Sequence, residues 1–231
     1  MRGVIAVLAA VAAAAAVAYG ATGAAPVARG DTGGPPGSLV PANELVAGKS
    51  YAQLLTSEWT WLLANGRLRT ELPKKGDLQC LSRGQRGKVW FLQAAYEGPT
   101  PVSVDCTVPA GKYLFLEGPG FECSTIEPAP YRATRAKLTR CASSFKLKGV
   151  DVSVDEQPIS PCYLVATPVF RFKIPAKGNV LRAKGRTRGF GAAHADVVIV
   201  RPLTPGPHTL VQVEHFASGK SAKTTWNLTV G

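Results

Sequence analysis

The pattern of hydrophobic and polar residues predicts a helix at the start of the folded region. Ser50 and Gln53 fit a capping box, in which each residue satisfies a backbone N–H of the other. An apolar stripe at helical spacing follows, and Asn65-Gly66 provides a left-handed end. We expect this stripe to pack in the core, although its two tryptophans could also form a ligand platform. The stripe comprises Tyr51, Leu54, Leu55, Trp59, Trp61 and Leu62.

From residue 88 onward the pattern changes to that of β-strands. Alternation is clearest at residues 150–155, and in 163–174, where Arg171 and Lys173 face away from the aromatic residues. Residues 131–145 predict a second helix. Gly118 and Gly120 predict a break after the strand at 112–117. The predicted strands are 88–96, 102–108, 112–117, 150–155, 163–174, 195–201, 208–216 and 222–230.

The order of these elements predicts the fold class. One helix followed by about eight strands, with 24 Gly and 18 Pro to supply turns, is typical of a sandwich. We therefore expect a mainly β protein, an antiparallel β-sandwich of jelly-roll or immunoglobulin-like type with one N-terminal and one inserted helix. Residues 48–231 are expected to form a single domain, because no second boundary or internal repeat is visible.

The first 47 residues predict export rather than fold. Met1 and Arg2 precede sixteen apolar residues, fewer than the roughly 20 that a membrane span needs. Small residues follow, so residues 1–20 predict a signal peptide cleaved near Ala18 or Gly20. An uncleaved anchor is the alternative. Residues 21–47 are dominated by Gly, Pro and Ala and predict a flexible linker. Both alternatives place the remainder outside the cytoplasm, in the medium or the cell envelope.

The five cysteines agree with export. In an oxidising compartment the usual fate of cysteines is a disulfide, and no C-x-x-C pair indicates zinc or dithiol chemistry. An odd number leaves one thiol over. We favour Cys80 with Cys106, which flank one predicted strand, and Cys123 with Cys141, which flank the second helix. Cys162 is then the candidate free thiol, and it could link the protein to a partner.

Several segments resemble an uncharacterised family of exported bacterial β-rich proteins. The similarity lies in VWFL at 89–92, CTVPAGKYLF at 106–115, PLTPGPHTL at 202–210 and TWNLTV at 225–230. The final segment is also similar to the last hairpin of immunoglobulin-like modules. The resemblance implies a secreted β-rich fold and brings no catalytic residues. The basic middle region and the extra cysteines depart from the family pattern.

Charge is the strongest functional indication. The formal net charge is +12, and residues 131–190 carry thirteen Lys or Arg against three Asp or Glu, a net of +10. Guanidinium groups in a mobile Gly-rich loop at 177–191 suit phosphate, sulfate or carboxylate partners. Outside a cell these would be anionic wall polymers, lipid head groups or acidic glycans, whereas nucleic acid is disfavoured by the export signal. A merely solubilising face is the alternative. The candidate anion-binding residues are Arg132, Arg135, Arg182, Lys184, Arg186 and Arg188.

No catalytic constellation stands out. His194-Ala195-Asp196 puts two possible metal ligands on one strand face without a third, so we expect no metal and no other cofactor. Asp155 and Glu156 are adjacent and cannot act as a facing pair. We therefore expect a non-catalytic binding or structural protein of the cell envelope or medium. The alternative is an extracellular carbohydrate-active hydrolase, which would need a cleft with convergent polar groups.

Overall fold

The computed structural model describes residues 34–65, 78–79, 81–93, 101–129, 132–144, 147–181, 183–216 and 218–231. The predicted signal peptide and residues 21–33 of the predicted linker lie outside these ranges. The helices are α1 (Tyr51–Asn65) and α2 (Leu138–Ala142), with a 3₁₀ turn at Arg135–Lys137 before α2. The strands are β1 (Leu78–Gln79), β2 (Val89–Leu92), β3 (Val102–Val108), β4 (Tyr113–Ser124), β5 (Leu147–Val154), β6 (Gln157–Ile159), β7 (Tyr163–Ala166), β8 (Phe170–Lys173), β9 (Arg188–Val200), β10 (Gly206–Phe216) and β11 (Ser221–Val230).

Two sheets pack face to face, which confirms the mainly β sandwich. The six-stranded sheet has the order β1-β3-β11-β10-β5-β6, and the five-stranded sheet has the order β2-β4-β9-β7 with β8 also paired to β9. Most neighbours are antiparallel, but β1 with β3, β3 with β11, and β2 with β4 run parallel. The sheets are therefore mixed rather than purely antiparallel.

Strand β4 shows how two cores share one sheet. Leu114 and Leu116 point between the sheets, where Trp226 of β11 is fully buried. Tyr113 and Phe115 point to the opposite face, which α1 covers. Because successive side chains of a strand face opposite sides, a strand that is buried on both faces has a nearly continuous hydrophobic sequence. The fold is thus a sandwich with a helix as a third layer.

Helix α1 begins as predicted and runs to Asn65, whereas Gly66, the expected left-handed end, lies outside the described residues. The backbone N–H of Ser50 donates to Oε1 of Gln53 at 2.9 Å, and the N–H of Gln53 donates to Oγ of Ser50 at 3.4 Å. The apolar stripe packs on the five-stranded sheet. Trp61 is buried, and its indole N–H donates to the carbonyl of Arg83. The tryptophans are therefore packing residues and not an exposed platform.

Several predicted boundaries are wrong. The second helix is short, because Arg132 bridges to Ser124 and Ala133 donates to the Ser124 carbonyl, which keeps that segment extended. The expected break at Gly118 and Gly120 is a register shift within β4. The strand expected at 163–174 is interrupted at Thr167-Pro168, because proline cannot donate to a ladder. Strand β9 begins at Arg188, well before the expected residue 195.

The packed chain also begins earlier than predicted. Val40 and Val46 are buried against α1 and the five-stranded sheet, so the flexible linker expected to reach residue 47 is wrong at its C-terminal end. Val40 donates its N–H to the Ile199 carbonyl. Two oxygens of the buried Glu44 carboxylate accept from Nη2 of Arg201 at 2.8 and 2.6 Å. This ion pair holds the segment before α1 to the end of β9.

The cysteines fall into three groups. Cys123 of β4 and Cys141 of α2 form a disulfide, as predicted. Cys106 is disulfide-bonded as well, while Cys80, its expected partner, lies outside the described residues. Cys162 is a free thiol. Within the described ranges, neither helix has the length and apolar character needed to cross a bilayer.

Removing the guanidinium of Arg201 tests the buried ion pair. Arg201→Met leaves the Glu44 carboxylate in the interior without that partner, and we expect a loss of about 3–5 kcal/mol in the free energy of unfolding. The double variant Arg201→Met/Glu44→Leu should recover most of this loss, because it removes both charges of the pair. Urea denaturation measures both. A single variant within about 1 kcal/mol of the parent protein would show that the pair does not hold this segment.

Candidate functional site

The structure gathers basic side chains from three separate segments onto one face. We call this the basic surface: Arg132 and Arg135 before α2, Arg171 and Lys173 on β8, and Arg188 on β9, with the ring of Phe190 among them. Its five cations are exposed. Lys184 and Arg186 are exposed in the segment that leads into β9, and Arg182 lies outside the described residues. Arg171 and Lys173 were not among the predicted site residues, although their outward-facing positions in the predicted strand were a usable indication.

Pairing between β8 and β9 sets the geometry of this surface. Arg171 lies opposite Phe190, and Lys173 lies opposite Arg188. Directly opposite residues share a face of the sheet. The Cζ atom of Arg135 lies 4.3 Å from the centre of the Phe190 ring, and that of Arg171 lies 5.4 Å from it. Both guanidinium groups are within the range of a cation–π contact, so two cations meet at the Phe190 ring.

The surroundings of the basic surface are packed, and the expected loop at 177–191 is shorter than predicted because β9 begins at Arg188. Helix α2 contacts β4 and β9, and the Cys123–Cys141 disulfide ties it to β4. In the connection from β8 to β9, the side chain of Asn179 bonds to the backbone of Ala183 in both directions. Ala183 is itself buried with Phe170 and Phe172. Arg188 lies in a strand rather than in a loop.

The charge of the basic surface is uncompensated in the part of the chain that the structure describes. The ion pairs found there join Arg201 to Glu44, His208 to Asp155, and His215 to Asp151, and none includes a cation of the basic surface. Two guanidinium groups on one ring repel each other. An anion bound between them would relieve this repulsion and gain charge-assisted hydrogen bonds.

A groove of about 520 Å³ lies elsewhere, on the outer face of the six-stranded sheet. Its polar groups are largely bonded to one another. The amide of Asn227 donates to Asp105 at 2.8 Å, and Asp155 accepts from the N–H of Thr209 at 2.8 Å. Asp155 also lies 2.7 Å from Nδ1 of His208. Two carboxylates line this groove, so its charge does not suit an anionic partner.

The three histidines form no metal centre in the described ranges. Partial burial lowers the pKa of His208, but the hydrogen bonds to Asp155 and to the Thr204 carbonyl outweigh it and raise the pKa above its ordinary value. Burial raises the pKa of Asp196, and the nearby His194 opposes that rise. Among the described residues, no group of three or more His, Cys, Asp or Glu could hold a metal ion.

The free thiol is not activated. Sγ of Cys162 lies 2.9 Å from the carbonyl oxygen of Val150. Burial, with the charges of Asp196 and Asp151, raises the pKa of the Cys162 thiol to about 11. A nucleophilic cysteine needs a lowered pKa, so the environment of Cys162 disfavours covalent catalysis.

A group of buried acids, which the sequence did not predict, lies on α1, β4 and β10. Glu58 of α1 is 1% exposed, Glu117 of β4 is 3% exposed, and Glu214 of β10 is also buried. Trp59 donates its indole N–H to Glu117, and the amide of Gln212 donates to both the Glu117 carbonyl and the Glu214 carboxyl. Each acid continues a buried face, since Glu58 follows Leu54 and Leu55 at helical spacing and Glu117 follows Phe115 by two. The sequence signal for their burial was an acidic residue at a position where the helix or strand periodicity predicts a core side chain.

These acids stay in the interior because they hold protons. Desolvation raises the pKa of Glu58 and of Glu214 to about 7. For Glu117 desolvation comes first and the neighbouring Glu58 second, and together they raise its pKa well above the ordinary value. Two carboxylates can only accept hydrogen bonds, so Glu58 and Glu117 bond to each other when one of them is protonated.

Comparisons with known proteins assign no family. No family model matches the chain, and no curated protein matches it significantly. Among solved structures, a chain from the structure of PbICP-C in complex with falcipain-2 is similar at 10% sequence identity, covering 63% of this chain and 100% of that chain with a TM-score of 0.29. This likeness is too weak to bear on fold or function.

The buried acids predict a protein that is more stable in mild acid. A Glu with a raised folded-state pKa stabilises the fold fully below its ordinary value near 4.5, and this stabilisation is lost as the pH rises through about 7. We expect the free energy of unfolding to fall between pH 5 and pH 8, by on the order of 3 kcal/mol for each such group. Denaturant unfolding at a series of pH values measures this loss.

Glu58→Gln is the matched variant for this prediction. It keeps the shape of the side chain and removes one titrating group, so the stability should depend less steeply on pH than in the parent protein. An unchanged slope, or a parent protein that becomes more stable toward pH 8, would contradict the assignment of protonated acids.

Proposed function

We propose that this protein is a non-catalytic binder of an anionic polymer, acting through the basic surface. The observation that carries the proposal is Phe190 with Arg135 and Arg171 on its ring. Each guanidinium is attracted to the ring by a cation–π contact, and no ion pair in the described ranges supplies either group with a counter-charge. A phosphate, sulfate or carboxylate group of the partner would supply that counter-charge.

A polymer suits the surface better than a small anion. The cations are spread along β8, β9 and the segment before α2 on an open face, so successive charges of a chain can contact successive side chains. Such contacts add up along the chain and weaken with salt. Wall polymers and acidic glycans have this repeating charge. Lipid head groups are the competing anion, and the same variants can be tested on vesicles.

Export and a place in the envelope or the medium belong to the same proposal. The disulfides at Cys106 and Cys123–Cys141 support an oxidising compartment. The short apolar segment near the N-terminus and the resemblance to exported β-rich proteins point the same way. An anionic wall polymer or glycan is therefore the partner class that we favour.

Hydrolysis is the weaker alternative. The carboxyl pair of Glu58 and Glu117 lies beneath α1 and is at most 3% exposed, so it cannot reach a polymer. The described groove has carboxylates, but Asp155 is already bonded to His208 and to Thr209. A hydrolase needs an acid and a base or nucleophile that face the scissile bond.

The test is binding to an immobilised sulfated polysaccharide such as heparin. Arg135→Gln/Arg171→Gln removes both cations from the Phe190 ring. We expect its affinity to be about tenfold lower, with a smaller dependence of affinity on salt, because two charge-assisted contacts are lost.

Lys220→Gln/Lys223→Gln is the matched control, because it removes the same charge near the turn between β10 and β11. It should bind almost as well as the parent protein. Equal losses in both double variants would mean that net charge alone drives retention, and retention of the parent protein that does not change with salt would overturn the proposal.

A further inference from the structure

A second pair of buried acids lies on and just after β4, the strand that pairs with the part of β9 next to Phe190. Glu122 of β4 is 8% exposed and Glu127 is 5% exposed. Glu122 lies opposite Ala193, next to Gly191 of β9. A Cβ atom at Gly191 would lie 2.7 Å from Oε1 of Glu122, so the absence of a side chain there makes room for the carboxyl group.

We propose that Glu122 and Glu127 are positioning residues that hold the basic surface together through a shared proton, so that polyanion binding is stronger in mild acid than in mild base. This inference rests on the proposed function.

The pair needs a proton to be stable. The two carboxyl groups interact with each other, and they can share a hydrogen bond only when one of them is protonated. Desolvation, followed by the charge of Glu127, raises the pKa of Glu122 well above its ordinary value. Desolvation also raises the pKa of Glu127, and the bonds from Glu122 and Ser124 partly oppose this rise. The pair therefore holds one proton between its two carboxyl groups. Loss of the proton would leave two adjacent buried charges.

The segment that carries Glu127 is bonded to the basic surface at several points. The Glu127 carbonyl accepts from Nε of Arg132 at 2.7 Å. The N–H of Thr125 donates to the Phe190 carbonyl at 2.9 Å, and Oγ1 of Thr125 accepts from the Phe190 N–H at 3.1 Å. Ala133 donates to the Ser124 carbonyl at 2.9 Å. Repulsion between Glu122 and Glu127 thus acts on the segment that binds Arg132 and leads to Arg135 beside Phe190.

Other charged groups nearby face elsewhere. On β4, Glu117 belongs to the group with Glu58 of α1, and on β9, His194 interacts with Asp196. On β8, Arg171 and Lys173 are exposed, while Phe170 and Phe172 face inward. Arg132 bonds to the Glu127 backbone rather than to its carboxylate. Within the described part of the chain, the charge that raises the pKa of this pair is therefore the pair's own.

The test measures heparin binding from about pH 5 to about pH 8 at constant ionic strength, together with amide hydrogen exchange of residues 124–133 corrected for the intrinsic pH dependence. The parent protein should lose about tenfold in affinity and lose exchange protection over this range. Glu122→Gln keeps a side-chain donor to Glu127 without a titrating proton, so its affinity and protection should stay near the acidic values throughout.

Glu58→Gln is the control for a general effect of buried acids, and it should keep the parent protein's binding profile. Histidine titration is common to all variants and cancels in the comparison.

If Glu122→Gln does not fold, Glu127→Gln replaces it. An amide at position 127 can accept a hydrogen bond from Glu122 and makes ionisation of Glu122 less favourable. A pH profile of Glu122→Gln, or of its replacement, that matches the parent protein in both binding and exchange overturns the inference. Absence of heparin binding at every pH overturns the proposed function, whereas exchange protection that depends on pH only when Glu122 is present would still support the shared proton.

Discussion

The pairing of β4 with β9 is the constraint on which the other elements depend. Both strands are buried on both faces, so one face supports the sandwich core and the other supports α1. Their far ends continue past the six-stranded sheet, where α2 packs on Cys123 and Ala192. There β8 adds to the same β9 strand and brings Arg171 beside Phe190. The core and the basic surface are therefore two ends of one strand pair.

The strand pair of β4 and β9 is also where buried acids lie. Glu117 and Glu122 both lie on β4, on the face that α1 and the neighbouring loops cover, and each is matched by a second acid from another element. A buried carboxyl group that remains protonated costs far less than a buried charge. The same chemistry that makes the fold tolerant of acids also makes its stability respond to pH near neutrality, where an all-apolar core would be indifferent.

The sequence predicted correctly those elements that depend on interactions between residues close together in the chain. The capping box at Ser50 and the alternation in β10 and β11 gave correct elements, because hydrogen bonds within a few residues and burial on one face decide them. The break predicted at Gly120 is wrong, because a bulge depends on the partner strand. A Cβ atom at Gly120 would lie 2.6 Å from the Cβ atom of Ala195 on β9. The charge count predicted the basic segment, but it did not predict that Phe190 lies at its centre. Arg135 and Phe190 are far apart in sequence and meet only through the disulfide and the sheet. Glu58 lay in phase with the core stripe, so its burial was predictable, whereas its partner on β4 was not.

The placement of β11 has a consequence for how the chain reaches its native state. This final strand lies in the interior of the six-stranded sheet, parallel to β3 on one side and antiparallel to β10 on the other, with Trp226 in register with both Val104 and Leu210. Before residues 221–230 are synthesised, that sheet consists of two unconnected halves. A nascent chain therefore cannot complete the sandwich progressively from its N-terminus, and the large sequence separation of these contacts makes closure slow. The six-stranded sheet therefore stays incomplete until β11 joins its two halves, whereas every strand of the five-stranded sheet precedes residue 201.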